Sequence, residues 1–123
     1  MNRDTEIFVQ GFWVKCREII RPELDFTVDD LKSEGHEAHV ATQEYSAVPD
    51  ALPEPGPSVI LTVHPNGAPQ GHTLEFRGDV AKNDVVVTGS PGTTRRHELD
   101  ELELPAVKAE ISAWLTALLG RQG

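Results

Sequence analysis

Hydrophobic residues near the start of the chain recur at the spacing of an α-helix. Over residues 4–21 they form one stripe, which further apolar residues widen (Phe8, Phe12, Cys16 and Ile19, with Ile7, Val9, Trp13, Val14 and Ile20). Asp4 is a candidate N-cap, and Pro22, which cannot donate a backbone N–H, predicts the end of the helix. Because the apolar face is broad, we expect it to contact the core and a second surface.

The next ten residues allow two interpretations. Leu24, Phe26 and Val28 alternate with polar residues, which favours a strand with one buried face. The alternative is a short helix that begins at Thr27 and ends at Gly35, because Gly commonly follows the last turn of a helix. We prefer the strand.

The middle of the chain predicts an antiparallel sheet. The expected strands are an edge strand that is polar on both faces and three strands joined by short turns (37–46, then 58–64, 72–81 and 85–88). Pro65-Asn66-Gly67 begins one of these turns. Residues 47–57, which include four prolines, and residues 89–97, which are rich in Gly, Ser and Thr, are predicted to be loops.

The last part of the chain predicts a second helix. Pro105 fits its first turn and Gly120 its end. The residues between them place apolar side chains at helical spacing (Val107, Ile111, Trp114, Leu115 and Leu118). The order of elements predicts an α+β fold in which an N-terminal helix, an antiparallel sheet of about four to five strands and a C-terminal helix form a two-layer sandwich. Residues 1–123 are expected to form one domain.

Charge is distributed unevenly along the chain. The net charge is −9, and the acidic, Pro-rich segment 22–57 carries −8 of it. This segment contains nine acidic residues and one basic residue, Lys32. Such a segment produces a local negative field that attracts basic surfaces. The same charge disfavours binding to nucleic acid and to anionic membranes, because both need a basic surface on the protein.

Other features point to a reducing compartment. Cys16 is the only cysteine, so no intrachain disulfide can form, and its place on the helical stripe predicts a buried, unreactive thiol. Met1 to Thr5 is polar and no stretch resembles a membrane span, so we expect a cytoplasmic protein.

The histidines are the main candidates for chemistry. His36 and His39 lie three residues apart, which on a strand places them on opposite faces, so we interpret them as solvated residues and not as metal ligands. His64 and His72 flank a short loop and could face each other across two strands. We predict no metal, no cofactor and no catalytic residue.

These observations favour a small, non-catalytic protein-binding module. The candidate contact residues are five acidic residues and one aromatic residue (Asp29, Asp30, Glu34, Glu37, Glu44 and Trp13). One alternative is a small enzyme or ligand carrier with a pocket near His64, His72 and loop 89–97. A second alternative is a structural homodimer that packs through Trp13 or Trp114.

Two segments also carry a resemblance. FVQGFWVKCREIIRP and AVKAEISAWLTALLG, which cover the two predicted helices, resemble an uncharacterised group of small acidic beta-proteobacterial proteins. This resemblance implies a bacterial protein and no particular activity. In size, acidity and order of elements, the chain is also similar to secretion chaperones and toxin-immunity proteins, which are small, acidic, cytoplasmic α+β proteins.

Overall fold

The described residues form three α-helices and five strands. The computed structural model describes residues 3–43, 57–90 and 92–120. Its regular elements are the helices α1 (Arg3–Lys15), α2 (Arg21–Ser33) and α3 (Leu104–Leu119), and the strands β1 (Glu37–Gln43), β2 (Ser58–His64), β3 (His72–Asp79), β4 (Asp84–Gly89) and β5 (Thr93–Glu98). A π-helical segment, Cys16–Ile20, connects α1 directly to α2.

The N-terminal helix continues past Pro22, so the predicted end at this residue is wrong. The Arg21 N–H donates to the Cys16 carbonyl, five residues earlier, which is the wider turn of a π-helix. Pro22 therefore lies in the first turn of α2, where a missing N–H is tolerated. The helix begins at Arg3, so Asp4 lies within its first turn and is not its N-cap.

The preferred strand at residues 24–34 is also wrong, because α2 covers this region through Ser33. The alternative correctly placed the end of a helix at Gly35, which has a φ of 93°. The N–H groups of His36 and Gly35 donate to the carbonyls of Leu31 and Lys32, at 2.9 and 3.1 Å. This pairing is a Schellman motif, and it ends the helix at a residue that tolerates positive φ.

The π segment keeps one helix face against the core over its whole length. Buried residues recur every four positions along this face (Phe8, Phe12, Cys16, Ile20, Leu24 and Val28). In a regular α-helix, each step of four residues advances about 40° beyond a full turn, so such a stripe would rotate away from the core. The longer π turn reduces that rotation midway along the helix.

The five strands form an antiparallel sheet in the order β1-β2-β3-β4-β5. The predicted strand 58–64 coincides with β2, and β1 is an edge strand as predicted. The prediction of a loop over residues 89–97 is wrong, since Thr93–Glu98 forms the other edge strand and pairs with β4. Most of the predicted loop 47–57 lies outside the described residues.

All three helices pack on one face of the sheet, which confirms the α+β fold. The sheet contributes alternate residues to the core, including Val59, Leu61 and Phe76, while the helices contribute residues such as Leu24 and Trp114. Side chains alternate between faces along a strand, so the other positions of each strand point to the opposite, helix-free face. Gly120, with a φ of 67°, ends α3 as predicted.

Candidate functional site

An exposed aromatic residue lies on the outer surface of α2. Phe26 is 70% exposed, although the buried residues Leu24 and Val28 lie two positions away on either side. On a helix, residues at spacings of three and four are surface neighbours. For Phe26 these neighbours are Pro22, Glu23, Asp29 and Asp30, and we call the five residues the Phe26 patch. An apolar ring is thus bordered by three carboxylates.

Two carboxylates of the Phe26 patch are exposed and are not neutralised by any described residue. Asp29 and Asp30 are exposed, and neither forms an ion pair with any residue that the structure describes. The nearby Asp25 differs, because Arg21 Nε lies 3.1 Å from its Oδ1, one helical turn away. The patch therefore keeps its negative charge, whereas part of the remaining charge on α2 is compensated within the helix.

The predicted contact residues do not form one continuous surface. Asp29 and Asp30 lie on α2, and Glu34 follows the helix end. Glu37 is on β1 next to the buried Ala38, so it points to the helix-free face of the sheet. Glu44 lies outside the described residues.

Trp13 is separate from the acidic residues of α2. Its ring is half-buried and meets the ring of Phe12 edge-on, with centroids 5.3 Å apart. At 1.5 Å per residue, Trp13 and Asp29 lie about 24 Å apart along the helix axis. Trp13 therefore supports the core and does not share a surface with the Phe26 patch.

Arg95 and Arg96, on the edge strand β5, both form ion pairs, and the partner of Arg95 is Glu110, 3.5 Å from its Nη1. Arg96 Nη1 lies 3.2 Å from Asp79 Oδ2 and 2.9 Å from Asp84 Oδ1. Burial raises the pKa of Asp79, but hydrogen bonds from Arg96 and from the backbone N–H groups of Lys82 and Ala81 outweigh this effect, so its pKa is lower than usual. The two arginines therefore pair with carboxylates at this edge of the sheet and do not neutralise the acidic residues of α2.

Contrary to expectation, His64 and His72 do not face each other across the two strands. Val63, and not His64, is paired with His72, so the two imidazoles point to opposite faces of the sheet. His64 instead stacks with His39, with ring centroids 6.4 Å apart, and its Nδ1 lies 3.0 Å from the Ala68 carbonyl oxygen. His36 Nδ1 accepts a hydrogen bond from the Asn66 N–H. Within the described ranges, no three potential metal ligands are grouped suitably for a metal ion.

Cys16 is buried in the core, where burial raises the pKa of its thiol and the positive charge of Arg21 offsets only part of this effect. Such a thiol is a weak nucleophile at neutral pH.

The exposed position of Phe26 differs from the prediction, which placed it on the buried face of a strand. The sequence does contain a helical pattern here, because the apolar residues Leu24, Val28 and Leu31 share one face of a helix. Residue 26 then lies on the opposite face. The strand interpretation obscured it, since it placed Leu24, Phe26 and Val28 together on a buried face.

Comparison with known protein families, curated proteins and solved structures finds no match to this chain. The resemblance to small beta-proteobacterial proteins stays a prediction. Among the described helices, none has both the length and the apolar character needed to cross a bilayer.

Proposed function

We propose that this protein is a non-catalytic binding module that engages a basic protein partner through the Phe26 patch. The observation that carries the proposal is an aromatic side chain, 70% exposed, among carboxylates that have no cationic partner in the described part of the chain. A large apolar side chain gains free energy when a partner covers it. The position of Phe26 is thus better explained by binding than by folding.

The chemistry of the patch favours arginine or lysine on the partner. The face of an aromatic ring attracts a cation, and an arginine can contact the ring while it donates to a neighbouring carboxylate. Glu23, Asp29 and Asp30 place such carboxylates one turn before and one turn after Phe26. We therefore expect a basic helix or strand that also presents an apolar residue to the ring.

The proposal can be tested with a fluorescent peptide that carries arginine and leucine at helical spacing. Its affinity is measured by anisotropy at increasing salt concentration. We expect Phe26→Ala to weaken binding by about tenfold, as for an interface residue that carries much of the binding energy. The Asp29→Asn/Asp30→Asn double variant should weaken binding to a similar extent at low salt, and less at high salt, because salt screens exposed charges.

A control variant distinguishes binding at the Phe26 patch from a general effect of the protein's net charge. Asp100→Asn/Glu101→Gln also removes two negative charges, but from exposed residues next to β5, on a different part of the surface. We expect this variant to bind the peptide within twofold of the unmodified protein. Equal losses from the two double variants, or full binding by Phe26→Ala, would show that the peptide senses only net charge and would refute the proposal.

A further inference from the structure

A small cavity lies between α3 and the sheet, at the end of the β4–β5 hairpin. Its volume is about 230 Å³, and its apolar wall includes Leu74, Val87 and Trp114. The Trp114 Nε1–H donates to the Ser90 carbonyl at 3.1 Å, which fixes the indole at the cavity wall. Gly89 makes room for it, because a Cβ at that position would lie 2.7 Å from Trp114 Cδ1.

One largely buried carboxylate, that of Glu110, and one exposed cation, Arg95, line this cavity. The Glu110 side chain is only 10% exposed, and its two contacts both end on Oε1: His97 Nε2 at 3.3 Å and Arg95 Nη1 at 3.5 Å. Among the described residues, Oε2 has no hydrogen-bond donor. Oε2 is not among the described polar atoms that are buried without a partner, so it stays accessible, and a ligand that donates to it would form a charge-assisted hydrogen bond.

We infer that this cavity binds a small organic cation, a primary ammonium with a short apolar body. The ammonium would donate to Glu110 Oε2, and its apolar body would contact Leu74, Val87 and the indole of Trp114, whose ring also attracts cations. The volume is below the range typical of drug-sized ligands, so the ligand is small. Arg95 lines the same cavity but is paired with Glu110, so the preference for a cation over a carboxylate rests on the net charge of −9 and on the indole ring.

The inference is independent of the Phe26 patch and is tested by binding. The probes are n-butylammonium, 1-butanol and butyrate, which share a four-carbon body and differ in the charge of the polar end. The readout is the NMR resonance of the Trp114 indole N–H during titration. We expect butylammonium to shift this resonance saturably, and the other two probes to bind at least tenfold more weakly.

Two variants locate the binding site. Glu110→Gln keeps the size of the side chain and removes its charge, and we expect it to weaken butylammonium binding at least tenfold, whereas the exposed control Glu101→Gln should have no effect. Ala113→Leu narrows the cavity without changing charge, so it should also reduce binding even if Glu110→Gln proves unstable. The inference is wrong if butylammonium gives no saturable shift, if butanol or butyrate binds equally well, or if Ala113→Leu binds normally.

Discussion

Leu24 and Phe26 are two residues apart, and the helix gives them opposite environments. Leu24 is fully buried on the core-facing side of α2, whereas Phe26, on the outer side, is 70% exposed. Leu24→Ala should lower the free energy of unfolding by about 2–5 kcal/mol, because it removes buried methyl groups and leaves a cavity. Phe26→Ala should change it by no more than about 0.5 kcal/mol, since an exposed ring is lost and Ala has the higher helix propensity.

Urea unfolding followed by circular dichroism measures both effects. With a slope of about 1.5 kcal/mol per molar urea, a loss of 3 kcal/mol moves the midpoint by about 2 M, which is easily resolved. If residues 24–28 formed a strand instead, the two side chains would share a face and both substitutions would be costly. A loss in Phe26→Ala as large as in Leu24→Ala would therefore refute the helical assignment and the exposed position of Phe26 on which the proposed function depends.

Two further predictions concern titratable groups. Cys16, which is 4% exposed and has a raised pKa, should react with a thiol reagent roughly 100-fold or more slowly in the folded protein than in urea, because reaction requires local opening; rapid labelling of the folded protein would contradict its buried position. The pKa of Asp79 is lower in the folded state than its ordinary value of 3.8, so the charged carboxylate stabilises the fold above about pH 4, and this contribution is lost as the pH falls through the lowered pKa. The stability difference between the protein and Asp79→Asn, measured by urea unfolding from pH 7 to pH 3, should therefore shrink on acidification, and a constant difference would contradict the role of Arg96.

Local sequence signals were sufficient for some elements. Pro105 and Gly120 set the limits of α3 because their backbone preferences hold almost regardless of context. Strand β2 was equally clear, since SVILTVH is apolar, β-branched and bounded by turn residues. These are the places where propensity and packing favour the same structure.

Pro22 does not predict the end of the N-terminal helix, because a proline is tolerated in the first turn of a helical segment. The four-residue spacing of buried residues from Phe8 to Val28 is a signal that a regular α-helix does not satisfy, and a π turn accommodates it. This spacing continues across Pro22, so it predicts one helical face that extends beyond the proline.

Strand β5 could not be recognised from its own residues. Thr93 to Glu98 is almost entirely polar and exposed, so neither alternation nor hydrophobicity marks it. Pairing with the buried strand β4 creates it, and that pairing also brings Arg95 and His97 to Glu110. The charged cluster beside the cavity therefore depends on tertiary contacts that residue spacing alone does not reveal.

Site-specific photocrosslinking tests most directly whether the Phe26 patch binds a protein. A photoreactive phenylalanine analogue replaces Phe26. In a control protein it replaces Val14, an exposed apolar residue of α1. In cells that normally make the protein, we expect position 26 to give a crosslinked basic protein that position 14 does not give, and we expect Asp29→Asn/Asp30→Asn to abolish that product. The proposal is contradicted if position 26 gives no specific product, or if the product persists unchanged in the double variant.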